Sequence, residues 1–152
     1  MPAMNYTTRI PVEQTVGESQ SILGRAGAAS VTVLYRDGQP AGLGFTLDTP
    51  AGPREYRLPV DIEAMRRLLL KQEADGAFIS LRKAKGAFTS AEHAACVAWR
   101  VVKVWLEAQM TLLEARMATL DQVMLPYLLT AGPESRTLYE VFKARELGEL
   151  TA

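Results

Sequence analysis

The run Val31-Thr32-Val33-Leu34-Tyr35-Arg36-Asp37-Gly38, followed by Leu43-Gly44-Phe45-Thr46-Leu47 and then Tyr56-Arg57-Leu58-Pro59-Val60, decides the fold class. Val31, Val33 and Tyr35 recur at the period of two that sends alternate side chains to one face of a strand. Asp37-Gly38 supplies a tight hairpin turn. Leu43, Phe45 and Leu47 repeat the alternation until Thr49-Pro50-Ala51-Gly52-Pro53 breaks the ladder. Tyr56, Leu58 and Val60 form the third strand, and Pro59, lacking an N–H, belongs at a strand end or sheet edge. Three strands joined by short connections predict an antiparallel meander with one covered face.

Upstream, Asn5 to Ile10 alternate as well, with Tyr6 and Ile10 on one side, and predict a further short strand. From Val12 the spacing changes. Val12, Val16, Ser19, Leu23 and Ala26 fall three or four apart, the period of a helix, and Gly27 is a left-handed stop. Downstream, Asp61 caps a helix with Ile62, Met65, Leu68 and Leu69 as its apolar stripe, running to about Gln72. The next stretch, Glu73 to Phe88, is irregular and contains Gly76 and Gly86. A short strand over Phe78 to Leu81 is the one regular element it admits.

The second half reads as helical. Thr89-Ser90-Ala91-Glu92 fits a capping box. Behind it a seam runs through Ala95, Trp99, Val102, Leu106, Met110, Leu113, Met117 and Leu120. A second stripe, Val97, Val101, Val104, Ala108, Leu112 and Ala115, leaves only a narrow polar ridge. A helix apolar over that much of its circumference is wedged between other elements or against a second copy. A break falls between Thr119 and Pro126, with Thr119-Leu120-Asp121-Gln122 as a fresh cap. A last helix starts at Thr137, with Glu140 three residues on, and is expected to bury Leu138, Val141, Phe142 and Leu147. The expected architecture is α+β: a four-stranded, mostly antiparallel sheet in β-α-β-β-β-α order, then a long helix and two shorter C-terminal ones. It forms one domain over residues 1–152, with 1–72 holding the sheet and two helices, 73–88 a basic loop, and 89–152 the helical part.

Composition narrows the function classes. The chain has 152 residues, 48% of them hydrophobic, and 17 basic side chains balance 17 acidic ones. This is a globular balance, unlike that of a disordered, collagenous or basic-tail protein. One cysteine makes no internal disulfide, so a stapled secreted scaffold is excluded. No apolar run approaches the roughly 20 residues of a membrane span, and Met1 to Tyr6 show no basic region leading into an apolar signal core. A cytoplasmic protein without a membrane partner is expected.

The catalytic inventory is short. His93 and Cys96, three apart on the long helix, have no second histidine or cysteine to complete a zinc set. A half-buried imidazole and a small apolar thiol explain them more simply. No nucleophile elbow, phosphate-binding glycine loop or dinucleotide fingerprint is present. Asp61 and Glu63 sit where negative charge offsets a helix dipole, and Glu107 and Glu114 belong to an exposed ion-pair row with Arg100 and Lys103. The expectation is therefore no enzyme, no metal and no cofactor.

Charge placement says more than net charge. Between Met65 and Thr89, Arg66, Arg67, Lys71, Arg82, Lys83 and Lys85 face only Glu73 and Asp75. Arg82-Lys83-Ala84-Lys85-Gly86-Ala87-Phe88 is a basic loop beside an aromatic, a composition that tracks a phosphate backbone and stacks a base. Its plainer reading is a solvated surface. Arg36, Arg54 and Arg57 extend this surface if they share its face. Trp99 lies on the main seam and reads as core. Trp105 lies between the stripes and, with Met110 and Leu112, is the candidate contact for a second copy or a host protein.

Tyr6-Thr7-Thr8-Arg9-Ile10-Pro11-Val12-Glu13-Gln14-Thr15, Phe45-Thr46-Leu47-Asp48-Thr49-Pro50-Ala51-Gly52, Tyr56-Arg57-Leu58-Pro59-Val60 and Val97-Ala98-Trp99-Arg100-Val101-Val102-Lys103-Val104-Trp105-Leu106-Glu107-Ala108-Gln109 carry a further signal. With Leu125-Pro126-Tyr127-Leu128-Leu129 and Arg136-Thr137-Leu138-Tyr139-Glu140, they resemble a group of short uncharacterised phage and prophage proteins. The resemblance spans most of the chain and becomes indefinite over Glu73 to Phe88. It implies a bacterial host's cytoplasm and a small non-enzymatic protein that handles DNA or disables host machinery, and it brings no catalytic residues; DNA or RNA is the expected partner of the basic stretch.

Overall fold

The structure is a computed structural model that describes residues 1 to 151, with side chains described through Gly148. Its elements are α1 (Val12–Arg25), β1 (Ser30–Arg36), β2 (Gln39–Thr49), β3 (Gly52–Pro59), α2 (Ile62–Ala74), α3 (Ala91–Glu114), α4 (Leu120–Met124) and α5 (Leu138–Thr151). Short 3-10 turns occupy Ile79–Leu81 and Leu125–Tyr127. The class is α+β, and the predicted meander is present as an antiparallel sheet in the order β1-β2-β3. Asp37 and Gly38 both take positive φ between the paired Arg36 and Gln39, as the hairpin turn requires.

The sheet has three strands rather than the expected four. Asn5 takes a left-handed φ of 59° and its carbonyl accepts from Thr8, so the opening segment turns instead of pairing. Tyr6 stacks on Phe78 at a centroid distance of 5.1 Å, and its alternation with Ile10 serves that ring contact rather than a pleat. Phe78 to Leu81 is likewise a 3-10 turn and not a strand. The outer edge of β3 is covered without a fourth strand, because Leu129 donates to the Glu55 carbonyl and Leu128 bridges Tyr56.

One face of the sheet is apolar. Val31 and Val33 stand opposite Phe45 and Leu43, and these stand opposite Tyr56 and Leu58. This face joins Val16 and Leu23 of α1 and Trp99 and Leu106 of α3 in the main core. A second cluster, Leu69, Phe78, Phe88, Ala94 and Val97, with Tyr6 packed on it, fills the angle between α2 and α3. The long helix is thus wedged, as its double stripe predicted. Each fully buried leucine contributes about 1.5–3 kcal/mol, against about 0–1 for an exposed ion pair, so burial dominates stability.

Trp99 joins the two halves. Its side chain is 0% exposed, and Nε1 donates to the Pro40 carbonyl at 3.0 Å. Pro40 lies where the β1–β2 register shifts after Leu34, a bulge that frees a carbonyl for the indole. Nearby, Arg100 reaches Glu18 at 2.6 Å and the fully buried Thr15 hydroxyl at 3.3 Å, pinning α1 to α3.

Two boundaries differ from expectation. Ser90, not Thr89, caps α3, accepting from the His93 N–H at 3.1 Å, while Thr89 is buried. The helix stops at Glu114 instead of running on to Leu120. There Met117 donates to Leu112, Arg116 donates to Leu113, and Arg116 holds φ at 57°. This is the paired-bond left-handed stop usually signalled by glycine; an arginine in that position hides it in the sequence. The capping boxes at Thr119/Gln122 and Thr137/Glu140 are as predicted.

Replacing Trp99 by alanine should cost about 3–5 kcal/mol. Trp99→Phe, which orphans the Pro40 carbonyl, should cost about 1–3 kcal/mol. Arg116→Gly should gain about 1 kcal/mol by relieving the left-handed residue. Urea titration followed by tryptophan fluorescence, or by circular dichroism for the Trp99 variants, reads all three.

Candidate nucleic-acid interface

The basic stretch is organised by α2. Ile62, Met65 and Leu69 face the core, which turns Arg67 and Lys71, four apart, to the opposite, exposed side. Arg66 and Glu73, seven apart, share a flank of the helix, and both grip the following loop. Arg66 Nε donates to the Thr89 carbonyl at 3.2 Å, and the Glu73 carboxylate accepts from the Gly86 N–H at 2.8 Å. The loop is therefore held on the Arg66 and Glu73 flank of α2, with Arg82, Lys83 and Lys85 exposed on it, while Arg67 and Lys71 are exposed on another side of the same helix. Arg82 ends the 3-10 turn in a left-handed conformation.

Five of the six candidate cations join no ion pair among the described residues. Ion pairs among the described residues join Arg100 and Lys103 to Glu18, Lys103 to Glu107, Arg136 to Glu134, and Lys143 to Glu146. None involves Arg67, Lys71, Arg82, Lys83 or Lys85. Arg66 differs, because its guanidinium closes the loop onto the helix.

Phe88 does not stand as an exposed stacking platform. It is 8% exposed and packs against Tyr6, Phe78 and His93 at centroid distances of 5.6, 5.3 and 5.5 Å. The neighbouring residue that does project is Ile79, 80% exposed. With Glu73, Phe78, Lys83, Ala84, Lys85 and Phe88 it lines a cavity of about 210 Å³. Sequence reading passed over Ile79 and Glu73; the one signal was an acid placed seven residues after Arg66 in a basic stretch.

The strand arginines do not form one group. Arg36 lies at the β1–β2 turn, while Arg54 lies toward the β2–β3 turn, at opposite ends of β2. Arg57 donates to the Ser135 carbonyl at 3.0 Å. Trp105 is half-buried, meeting the Tyr127 ring edge-on at 5.6 Å. Met110 packs on the main core, and Leu112 is half-buried. The more exposed apolar surface is on α5. Leu138 and Val141 are half-buried as the stripe foretold, but Phe142 is 56% exposed, and Tyr139 and Leu147 are exposed as well.

Several of the residues considered for chemistry make structural contacts. His93 Nε2 lies 2.5 Å from the Tyr6 carbonyl, so that nitrogen carries the proton and ties the opening segment to α3. Burial, with Glu92 and Glu13 nearby, pushes the Cys96 thiol up, away from the thiolate a nucleophile needs. Asp61 caps α2 by accepting from Ala64 at 2.9 Å, and Glu107 pairs with Lys103. Glu63 and Glu114 are exposed. Among the described residues no group of histidine, cysteine and carboxylates is placed to hold a metal ion, and no helix is long and apolar enough to cross a membrane.

Phe88→Ala should cost about 3–5 kcal/mol, whereas Arg82→Ala and Lys83→Ala should each change stability by no more than about 0.5 kcal/mol; chemical denaturation separates the buried ring from the surface charges. No family model, curated protein or solved structure matches this chain.

Proposed function

We propose that this chain is a non-enzymatic accessory protein of the phage type that binds nucleic acid through the exposed flank of α2 and the adjoining loop. The observation that carries the reading is the exposed trio Arg82, Lys83 and Lys85 on a loop that the Arg66 and Glu73 hydrogen bonds hold against α2, with Arg67 and Lys71 exposed on the same helix. These five are exposed and, like most of the 17 basic side chains, join no ion pair among the described residues, which leaves them open to an external anion. Phosphates spaced along a strand suit cations spaced along a helix and a loop. The phage resemblance supports the same reading by analogy.

Binding to labelled DNA or RNA should weaken steeply with salt. Neutralising five phosphates gives a log–log slope of about −3.5 on single strands. The double variant Arg82→Glu/Lys83→Glu should lower affinity at least about tenfold while leaving the melting curve in place. Absence of any anisotropy change at low salt removes the reading.

A second reading, a protein-binding module acting as a homodimer or on a host factor, is favoured by one observation. The helix α5 exposes Tyr139 and Phe142, three apart and so neighbours on one side of it, and exposed apolar surface marks contact sites. It moves the contact from Trp105, Met110 and Leu112 to α5. Light scattering should then give a dimer that Phe142→Asp converts to a monomer; a monomeric wild type leaves only a host partner for that surface.

A further inference from the structure

The cavity between the end of α2 and the basic loop has a definite chemistry. Its volume, about 210 Å³, is below the ~300 Å³ at which drug-sized ligand sites begin, so it suits one small ring system. Phe78, Phe88 and Ile79 give it apolar walls, and Lys83 and Lys85 stand on its exposed rim. Glu73 is the acceptor at the site. Its carboxylate is oriented by the Gly86 N–H at 2.8 Å, which uses only one of about four acceptor positions.

We propose that this cavity receives one unpaired nucleobase of a single-stranded nucleic acid, with the Lys83 and Lys85 ammonium groups holding the flanking phosphates. This rests on the nucleic-acid reading above and adds to it the strandedness and the kind of base. Apolar walls, of which Ile79 is the exposed one, favour the face of a flat heterocycle. The free carboxylate positions favour a base with an exocyclic amino group, since a carboxylate accepts from such a donor as it does from cytosine N4. The same carboxylate disfavours a phosphate inside the cavity and leaves phosphates to the rim. A duplex base pair already uses its pairing edge and does not enter.

The test compares fluorescently labelled oligonucleotides of equal length and backbone charge with the full-length chain: oligo-deoxycytidine, oligo-thymidine, an abasic strand and a duplex. Wild type should bind oligo-deoxycytidine about tenfold tighter than the abasic strand, with oligo-thymidine between them. Ala84→Leu, which fills the cavity from an exposed loop position, should abolish the preference and keep the salt-dependent backbone binding. Glu73→Gln should bring cytidine and thymidine strands closer together. Lys83→Ala should weaken all strands alike. Thermal melts establish that each variant is folded.

Equal affinity of wild type for abasic and base-bearing strands, with the salt slope intact, overturns the base pocket and spares the nucleic-acid reading. Loss of binding to every strand at low salt overturns both. Displacement of DNA at equal charge by a glutamate-rich peptide carrying leucines, where abasic DNA fails to displace it, overturns the pocket's assignment and gives the surface to an acidic protein.

Discussion

The buried indole of Trp99 is the constraint on which the two halves of the molecule depend. A tryptophan removed from water needs a partner for its N–H, and the Pro40 carbonyl supplies one because the β1–β2 ladder is interrupted beside it. A sheet feature and a helix feature that are each incomplete thus satisfy one another. The position of α3 over the sheet follows, and with it the places of α1 and α2 on its two sides. The Arg100 contacts with Thr15 and Glu18 set the rotation of α1 in the same way.

That arrangement also sets which cations are exposed. Because α2 turns Leu69 inward against Ala94 and Val97, Arg67 and Lys71 are left outward by helical geometry. The loop that follows cannot wander, since Phe78 and Phe88 are drawn into the cluster with Tyr6. Its lysines are left outside, between two buried rings. The apolar cluster therefore positions the charges, although it carries none.

Legibility varied with the range of the interaction. The meander, α1 with its Gly27 stop, the caps at Asp61, Thr119 and Thr137, and the wedged character of α3 were readable, because each rests on neighbours within a few residues. The opening strand failed because six alternating residues suit either a pleat or a turn, and only the distant Phe78 favours the turn. The end of α3 was missed because Arg116 adopts a conformation that arginine does not advertise. On α5 the apolar stripe was visible in Leu138, Val141 and Phe142. Its burial was overestimated, because a stripe records the capacity to be covered and nothing about what covers it.

At the candidate site, the sequence by itself determined which cations crowd between Met65 and Thr89 and that the chain has one histidine and one cysteine. Helical spacing, turn chemistry and composition are local properties and survive without coordinates. Tertiary structure decided that Phe88 is a core ring, that Ile79 projects and that Glu73 holds the loop to the helix. It also separated Arg36 and Arg54 at opposite ends of the sheet. Those outcomes depend on contacts between segments far apart in the chain, where competing burials are settled by packing and hydrogen-bond satisfaction that no local pattern encodes.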